Sequence, residues 1–485
     1  MKSLIQQKKL LFRILNIAFV ALLMGIAYTV VSNKSKGQIN QNSKYSKGEY
    51  SSGVDNNPFP NADYPFLHKD NTPNSLKPFF IQGDGSGKPD IVVILLESMG
   101  KAYSGKDAYL GSFTPFMDSL ADHSLYWENC LSGGGRTFAA LPTIFGSLPF
   151  CKEGYLEEGD NAPLSNSLIK ILGCNGYTSS FYYGSEASFD KMDLYLKQQG
   201  ANVKLEKSMF PSGYSLLPPN GGGFSWGYGD MELFKRYFEL FSAINSPRMD
   251  IILTVANHSP FLLANQDYYF QKVKNRMDKI NTTPKHREFL GQYMNQLSTI
   301  MYTDEALQYF FNEYSKKPSF KNTIFIITGD HRMPEIEVST QIDRFHVPLI
   351  IYSPMLNKAA NFKSVVTHFD ITPTLLKLFN SNFGISSPSW VHWIGTGLDT
   401  DPNYTCTKKI ALMRNKTQLF DYLDGMNFLS MNDKLYVLET DLDIEEIHDQ
   451  AKHDKLQGEF DEYKKNNASV MKIGRLAPDS LLKCK

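Results

Sequence analysis

The 485-residue sequence predicts an α/β protein whose mostly parallel central sheet carries helices on both faces. Continuous apolar, β-rich runs recur along the chain, and amphipathic helical patterns lie between them. A continuous run is typical of a strand that is covered on both faces, and the helices between parallel strands supply that cover. The runs are Ile91–Leu96, Ile251–Val255, Ile324–Thr328 and Val347–Tyr352, with helical patterns at Phe289–Tyr314 and Asp370–Phe379.

The N-terminus has the pattern of a membrane anchor. Several basic residues within 1–13 precede the apolar stretch Ile14–Val31, which is just long enough for a spanning helix. We expect 1–13 to be a cytoplasmic basic tail and 14–31 a transmembrane anchor. A cleaved signal peptide is the alternative, because Gly25 and Ala27 could mark a processing site. Either interpretation exports the rest of the chain. The expected location is therefore the cell inner membrane, single-pass, with the large domain periplasmic or extracellular.

Composition divides the rest of the chain into three parts. Residues 32–88 are rich in Ser, Asn, Gly, Pro and Lys without periodicity, which predicts a flexible linker. Residues 89–400 contain the strand and helix patterns and form the predicted catalytic domain. In 401–485, an extension of that domain, we expect a strand at Lys434–Leu438 and a charged helix at Asp441–Lys465.

Charge and cysteine content limit the partners and the cross-links. Fifty basic and fifty acidic residues give a formal net charge of zero, so nucleic acid is not an expected partner. Export permits disulfides, and the odd count of five cysteines leaves at least one thiol unpaired or bonded elsewhere. A bridge between Cys130 and Cys151 would staple the glycine-rich segment described below. Buried free cysteines are the alternative.

Ionisable side chains follow three of the predicted strands. Glu97 follows the first run, His258 follows the second, and Asp330 and His331 follow the third. Ligands of doubly wound sheets bind outside the carboxyl ends of the strands, so we expect these side chains to meet at one edge. A single polar residue at such a place is more often part of a turn. Three coincidences favour a functional site.

A glycine-rich segment supplies a candidate nucleophile. Gly133, Gly134 and Gly135 precede Arg136 and Thr137, at a point where a helix could begin and where its N-terminus would suit a phosphate. An ordinary helix-capping threonine is the alternative. A hydroxyl near a bound cation loses its proton more easily, which would make Thr137 a usable nucleophile. Arg136 could offset charge that develops on the transferred group.

The residue types at the strand ends suit a divalent cation. Glu97, Asp330 and His331 supply carboxylate oxygens and an imidazole nitrogen, and Thr137 would complete the set. Mn²⁺ is the expected ion, with Mg²⁺ or Zn²⁺ as alternatives. His258 could hold a phosphoryl oxygen near the leaving group.

Short motifs in a fixed order identify a family. The motifs are DIVVILLESMG, GGGRTFAALPTIFGSLP, FYYGSEASFDKM, WGYGDMELF, TVANHSPF, ITGDHR, FHVPLIIYSP and DITPTLL. Together they resemble the alkaline phosphatase/sulfatase superfamily, and within it the lipoteichoic acid synthase-like (phosphoglycerol transferase-like) branch. The resemblance implies that Glu97, Thr137, Asp330 and His331 bind one catalytic metal ion. It also implies that Thr137 is transiently phosphorylated and that His258 contacts the substrate.

The resemblance also addresses the substrate pocket. Trp226 and Asp230 match the rim of the family's pocket, where Asp230 could bond to the substrate; a packed aromatic with a capping aspartate is the alternative. The chain has Tyr183-Gly184-Ser185 where relatives carry an aromatic–Asn–Arg triplet. The missing arginine removes a bidentate phosphate clamp, which puts a glycerol-phosphate headgroup in doubt. His346 and His368 are either auxiliary metal groups or packed residues.

These features predict a membrane-anchored, metal-dependent phosphotransferase or phosphodiesterase. Its substrates would be phospholipid- or glycan-linked phosphodiester headgroups, transferred through a phosphothreonine. A sulfatase of the same fold is the second hypothesis, although the sequence lacks the C/S-x-P-x-R motif of sulfatases and its first strand ends in the lone acid Glu97. The third is a non-catalytic envelope-binding protein, which the presence of the complete ligand set disfavours.

Overall fold

A nine-stranded mixed sheet forms the centre of the protein. The structure is a computed structural model that describes residues 63–81, 87–151, 154–243, 247–280, 282–416 and 418–484. The predicted anchor, Ile14–Val31, lies outside these residues. Within the described ranges, no helix combines the length and the apolar character needed to cross a membrane.

Two lists give the elements of the described residues in chain order. The strands are β1 (His68–Lys69), β2 (Asp90–Leu96), β3 (Leu125–Leu131), β4 (Thr178–Tyr183), β5 (Asn202–Leu205), β6 (Arg248–Leu253), β7 (Thr323–Gly329), β8 (His346–Tyr352), β9 (Ala360–Phe362), β10 (Val366–Thr367), β11 (Trp390–Val391), β12 (Lys409–Asn415), β13 (Gln418–Asp424), β14 (Asn427–Leu429), β15 (Leu435–Leu438) and β16 (Ile444–Glu446). The α-helices are α1 (Pro115–Ala121), α2 (Ala140–Gly146), α3 (Leu168–Cys174), α4 (Met192–Gln199), α5 (Asp230–Leu240), α6 (Gln266–Lys279), α7 (Pro284–Gly291), α8 (Met294–Tyr314), α9 (Ile371–Phe383), α10 (Gln450–Ile473) and α11 (Asp479–Leu482).

The central sheet is parallel except around β8. Its order is β10-β3-β8-β7-β2-β6-β4-β5, with β9 paired to β3. Strand β8 runs antiparallel to both of its neighbours, β3 and β7. Residues 330–345 connect β7 to β8, and they contain a short 3₁₀ helix, Ile342–Phe345, but no α-helix of the kind that usually forms the crossover to a parallel strand. The predicted α/β class is confirmed, but the sheet is mixed.

Helices cover both faces of the sheet, as the continuous apolar runs predict. Along β2, Ile91, Val93 and Leu95 belong to one buried cluster, while the alternate residues belong to another. The first cluster includes residues of α2, α3, α4 and α9, and the second includes residues of α5, α6 and α8. The pattern predicted as one helix, Phe289–Tyr314, forms parts of two, because α7 ends at Gly291 and α8 begins at Met294.

A second, antiparallel sheet follows the central one. Strands β12 to β16 pair in sequence order, and α10 packs on this sheet, with the rings of Phe460 and Tyr422 stacked at 5.2 Å. The helix predicted to begin at Asp441 begins at Gln450 instead. Its N-cap is Asp449, whose side chain accepts the Lys452 N–H, and Ile444–Glu446 forms the edge strand β16.

The last part of the predicted linker is packed against the core. Leu76, Phe79 and Phe80 are buried in the same cluster as β2. Strand β1 pairs with β11 through His68 and Val391. These apolar residues have no helical or alternating spacing, so their burial was not visible in the sequence. The packed region therefore begins before Pro89.

The cysteine pairing differs from the predicted one. The structure joins Cys174 of α3 to Cys484 by a disulfide, while Cys130, Cys151 and Cys406 are buried and free. The predicted Cys130–Cys151 bridge is therefore wrong. Cys130 lies in the central strand β3, where its side chain belongs to the apolar core, and Cys151 is buried in the same cluster. The alternative of buried free cysteines is correct for both.

Candidate active site

Three neighbouring strands deliver the candidate residues to one edge of the sheet. Strands β7, β2 and β6 are adjacent and parallel, and Leu96 is opposite Gly329 at their carboxyl ends. The next residues, Glu97 and Asp330, therefore lie side by side. The chain after β2 passes so close to Gly329 that a Cβ at position 329 would lie 1.9 Å from the Met99 carbonyl oxygen. Only glycine allows the two strand ends to pack this closely.

Glu97, Asp330 and His331 form a buried cluster. One potential ligand atom from each lies within 4.8 Å of the others. His331 Nε2 is 3.5 Å from Glu97 Oε1 and 3.6 Å from Asp330 Oδ2. Asp330 Oδ2 is buried without a hydrogen-bond partner in the described residues. A buried carboxylate oxygen without a donor is costly unless a cation neutralises it, so this cluster has the composition and the open ligand atom of a metal site.

Backbone contacts fix the orientation of the cluster. The N–H groups of Ser98 and His331 both donate to Asp330 Oδ1 at 2.8 Å, which leaves Oδ2 facing the cluster. His331 Nδ1 is 2.8 Å from the Arg332 carbonyl oxygen and donates its proton there. Nε2 is then the ring atom that can take a metal ion, and the same second contact is typical of metal-binding histidines.

The electrostatics show how strongly these groups depend on one another. Burial would raise the pKa of Glu97, but His258 and His331 hold that pKa well below its ordinary value. Burial and the neighbouring Glu97 raise the pKa of Asp330 to about 7. Burial opposes the charge on His331, yet Asp330 and Glu97 raise its pKa to about 9. The two buried carboxyl groups thus stabilise a positive charge next to them, which is the property that a cation site requires.

Thr137 lies against this cluster. Its Oγ1 is 3.3 Å from Glu97 Oε2 and 3.3 Å from His331 Nε2, and the residue is only 4% exposed. It begins the short 3₁₀ turn Thr137–Ala139, which leads into α2. The glycine-rich segment before it is held by the second sheet, because Gly135 N–H donates to the Met413 carbonyl oxygen at 2.9 Å.

Glu97, His331 and Thr137 line a cavity of about 350 Å³. His258 stands at the wall of this cavity, with Nε2 3.2 Å from Glu97 Oε2. Trp226 stacks on the His258 ring at 4.1 Å and donates its indole N–H to the Ser259 carbonyl oxygen. The residues that line the cavity are Glu97, Ser98, Arg136, Thr137, Phe189, Asp190, Trp226, Asn257, His258, Ser259, His331, Pro334, Glu335 and Lys416.

Asp230 does not line this cavity. It is fully buried, where its Oδ1 accepts the N–H groups of Val255 and Ala256 and its Oδ2 accepts the Thr303 hydroxyl. The two backbone contacts fix the chain after β6, which leads to His258, and the Thr303 contact ties Asp230 to α8. The predicted contact of Asp230 with substrate does not occur in this geometry. Asp230 is a structural residue, but it binds the chain after β6 and does not cap its own helix, α5.

Two charged residues that the sequence did not indicate lie at the wall. Lys416 Nζ is 2.6 Å from Asp190 Oδ1 and 2.5 Å from Glu157 Oε1. Asp190 has a positive φ of 52° beside Phe189, whose ring contacts Trp226 at 5.5 Å. Lys416 lies between β12 and β13, in a hairpin with no motif. No signal in the sequence links these two positions.

The segment that lacks the family's arginine has a structural role here. The chain segments at Gly184 and Gly227 cross very closely. A Cβ on Gly184 would lie 2.1 Å from the Tyr228 carbonyl oxygen, and one on Gly227 would lie 2.1 Å from the Gly184 carbonyl oxygen. Tyr228 N–H donates to the Gly184 carbonyl oxygen, and Ser185 Oγ donates to that of Trp226. This crossing therefore holds Trp226 over His258.

Comparisons with known proteins agree with this architecture. The sulfatase family model matches residues 89–381. Lipoteichoic acid synthase 1 of Bacillus subtilis is 26% identical over 338 residues, which cover 65% of this chain and 48% of that protein. Lipoteichoic acid synthase of Staphylococcus saprophyticus is 27% identical over 252 residues, 50% of this chain and 36% of that protein. The chain thus spans less than half the length of either relative.

Two solved structures share the fold. A Vibrio parahaemolyticus protein in the alkaline phosphatase superfamily superposes with a TM-score of 0.61 at 20% identity, over 85% of this chain and 93% of that one. The lipoteichoic acid synthase LtaP of Listeria monocytogenes superposes with a TM-score of 0.54 at 17% identity, over 82% and 93%. The family match covers more than half of the sequence. The chain therefore belongs to the sulfatase family, within the alkaline phosphatase superfamily of enzymes.

Proposed function

We propose that this protein is a metal-dependent phosphotransferase or phosphodiesterase that uses Thr137 as its nucleophile. The observation that carries the proposal is the position of Thr137 Oγ1, 3.3 Å from both Glu97 and His331. A helix-capping threonine would point its hydroxyl at a backbone N–H instead, and no such bond is present for Thr137 in the described residues.

The residues divide the work of the first step. Glu97, Asp330, His331 and Thr137 would hold one divalent cation, with Mn²⁺ expected. Such an ion lowers the pKa of a bound hydroxyl and offsets charge on a phosphoryl oxygen. Glu97 draws the proton of Thr137 as the Oγ1–P bond forms and the bond from phosphorus to the leaving oxygen breaks. Burial opposes the charge on His258, but Glu97 raises its pKa, so the imidazolium can give a proton to the leaving oxygen.

The second step releases the phosphothreonine. An acceptor hydroxyl or water gives up its proton to the now neutral His258 and attacks phosphorus. The bond from phosphorus to Thr137 breaks, and Glu97 returns its proton to the departing Thr137 oxygen. Two basic side chains, Arg136 and Lys416, lie at the cavity wall. There they can offset the charge of the transferred group.

The proposed substrates are phospholipid- or glycan-linked phosphodiester headgroups of the cell envelope. The named relatives are lipoteichoic acid synthases, and the aromatic face of Trp226 beside a charged wall suits a small headgroup. We further propose that the chain is membrane-anchored, with this domain outside the cytoplasmic membrane. A sulfate ester hydrolase is disfavoured, because the sequence lacks the C/S-x-P-x-R motif in which sulfatases carry their modified cysteine or serine.

Replacement of Thr137 tests the mechanism. We expect Thr137→Ala to lower turnover of a phosphodiester headgroup by at least about a thousandfold, since it removes the nucleophile. Thr137→Ser keeps a hydroxyl and should retain measurable activity. Turnover is followed by release of the headgroup from vesicles of a bacterial lipid extract with added Mn²⁺. Mass spectrometry of the wild-type protein should find phosphate on Thr137.

Thermal unfolding of each variant controls for folding. A capping role would cost Thr137→Ala about 1 kcal/mol of stability and leave its turnover intact. Full activity of a folded Thr137→Ala protein would exclude the mechanism. Hydrolysis of aryl sulfates in preference to phosphodiesters would favour the sulfatase hypothesis instead.

A further inference from the structure

A surface segment without charged side chains lies between β5 and α5. Residues 208–229 contain no Asp, Glu, Lys or Arg, although these residue types make up 21% of the chain. No longer run of this kind occurs in the sequence. Most residues between 208 and 224 are nevertheless exposed. A segment in contact with water normally carries charges, so the absence of charge indicates that part of this surface is covered by something other than water.

Three large apolar side chains of this segment are exposed. Met209, Leu216 and Phe224 are 46%, 48% and 50% exposed. Eight large apolar side chains are this exposed within the described residues, so three of the eight belong to one short segment. The neighbouring Phe210 and Leu217 pack inward against the buried core. A concentration of exposed apolar side chains on a surface marks a contact with a partner.

The backbone of the segment is fixed. Asn220 closes its turn, because the Asn220 N–H donates to the Phe224 carbonyl oxygen and the Asn220 side chain accepts the Phe224 N–H. Leu217 N–H donates to the Gly227 carbonyl oxygen at 2.7 Å. The ring of Phe210 stacks on that of Tyr228 at 3.9 Å. The exposed apolar side chains are therefore held at the surface by a folded backbone.

The segment lies at the edge of the sheet that carries the candidate active site. It follows the carboxyl end of β5, and Tyr228 N–H binds Gly184 just after the carboxyl end of the parallel strand β4. Trp226, within the segment, lines the active-site cavity. The ring of Phe224 contacts that of Trp226 at 5.2 Å. The exposed apolar surface therefore continues from the wall of the cavity.

A lipid bilayer is the partner that this position favours. When the phosphodiester of a membrane lipid reaches Thr137, the acyl chains stay in the bilayer, because their transfer to water is unfavourable. Only a few bonds separate the phosphodiester from those chains, so the rim of the cavity must approach the bilayer surface. Apolar and aromatic side chains are favoured at that surface. A protein partner would more often meet a rim that includes charged side chains.

We propose that residues 208–224 form a membrane-contact loop. Met209, Leu216 and Phe224 enter the interfacial region of the bilayer and place the cavity at the level of the lipid headgroups. The inference rests on the proposed function, because it supplies the position from which a lipid headgroup reaches Thr137.

A contact measurement tests the loop without any turnover. Full-length protein carrying Leu216→Cys is labelled with an environment-sensitive dye, since the free cysteines of the chain are buried. The protein is reconstituted into vesicles of equal parts phosphatidylglycerol and phosphatidylethanolamine. Lipids that carry a nitroxide on the acyl chain should quench this dye by at least about half, because a side chain in the interface lies next to the acyl chains.

Ile81→Cys is the matched control for the contact measurement. Ile81 is 57% exposed, and its N–H donates to the Met355 carbonyl oxygen. Met355 follows the end of the antiparallel strand β8, at the edge of the sheet opposite the candidate active site. The dye at position 81 should therefore escape quenching in the same vesicles.

Turnover supplies a second test. Leu216→Asp places a charge in the bilayer interface and should lower kcat/KM for the lipid in vesicles about tenfold. It should leave kcat/KM unchanged for a water-soluble phosphodiester that has the same headgroup and no acyl chains. Ile81→Asp should change neither value.

The outcomes separate the membrane contact from the proposed function. Equal quenching at positions 216 and 81 would overturn the loop, and so would the absence of quenching at 216, which would leave this surface to a protein partner. An equal loss on both substrates in Leu216→Asp would also overturn it, because the residue would then act on the shape of the site. Strong quenching at 216 without turnover of any lipid phosphodiester would support the contact and contradict the proposed function.

Discussion

Buried histidines behave in opposite ways in two regions of this molecule. In the candidate active site, the pKa of His331 is raised to about 9, although burial opposes its charge. Elsewhere, burial lowers the pKa of His346 to about 4 and that of both His368 and His392 to about 3. All four side chains are buried. They differ in their neighbours, because only His331 lies within 4 Å of two carboxylates.

The difference shows that burial alone does not make a reactive centre. His392 accepts the Asn166 N–H with Nε2 and serves packing as a neutral ring. His346 and His368 likewise contact a backbone carbonyl oxygen and a threonine hydroxyl, respectively, which supports the packed alternative for both. The active site instead gathers acids and bases whose charges depend on each other, and a metal ion can take the place of the protons.

The largest expected effect is the loss of the metal site in Asp330→Asn. The substitution removes the buried oxygen that lacks a partner and should lower both bound Mn²⁺ and turnover by at least about a hundredfold. Asp304→Asn is the matched control, because Asp304 is also buried, its pKa is also raised to about 7, and it accepts only backbone N–H groups. Elemental analysis should find metal in Asp304→Asn and not in Asp330→Asn; equal metal content would refute the ligand assignment.

A smaller effect is expected from the neutral histidines as the pH falls. The pKa of an unfolded histidine is about 6.5, and above that pH a neutral buried histidine does not destabilise the fold. As the pH falls from about 6.5 toward the lower folded-state pKa, the unfolded chain binds a proton that the folded chain does not, and stability is lost. For His392 the loss between pH 7 and 5 should be about 2 kcal/mol. Denaturant unfolding of His392→Gln should show a drop smaller by this amount.

Exposed His123 supplies the comparison for that measurement. His123→Gln removes one imidazole from the surface and controls for the loss of a histidine as such. If His392→Gln and the wild-type protein lose the same stability between pH 7 and 5, His392 is not held neutral, and the contrast between the two regions fails.

The smallest effect concerns Trp226, which covers His258 at the mouth of the site. Trp226→Ala should raise KM for the headgroup about tenfold, with a lesser change in kcat, because a stacked aromatic contact contributes roughly 1 kcal/mol or more. Trp226→Phe preserves the stacked face and should recover most of the loss. A fall in kcat with unchanged KM would instead assign Trp226 to the orientation of His258.

The sequence was informative where the chemistry follows from topology. Buried apolar runs predict parallel strands, and the residues after β2, β6 and β7 must then lie at one edge. Glu97, His258 and Asp330 are together for that reason. Their metal and substrate roles are proposals, and the substitutions at Thr137 and Asp330 test them.

The wall of the cavity depends on contacts that no periodicity encodes. Lys416 reaches Asp190 across 226 residues, from a hairpin of the second sheet. Asp230 shares a motif with Trp226 but turns into the core, because the backbone N–H groups after β6 need an acceptor there. The strand β8 was predicted correctly as a strand, while its direction follows from a connection without an α-helical crossover, which the sequence pattern did not indicate.

The glycine-rich segment before Thr137 is attached to the second sheet. The functional unit of this enzyme therefore extends beyond the part that matches the family. The family match stops at residue 381, yet Gly133 and Gly135 exchange backbone hydrogen bonds with Met413. Thr137 therefore owes its position to a strand that the family definition omits. In comparisons of natural variants, substitutions in Lys409–Asn415 should be weighed as changes next to Thr137, although they are remote from it in sequence and outside the matched domain.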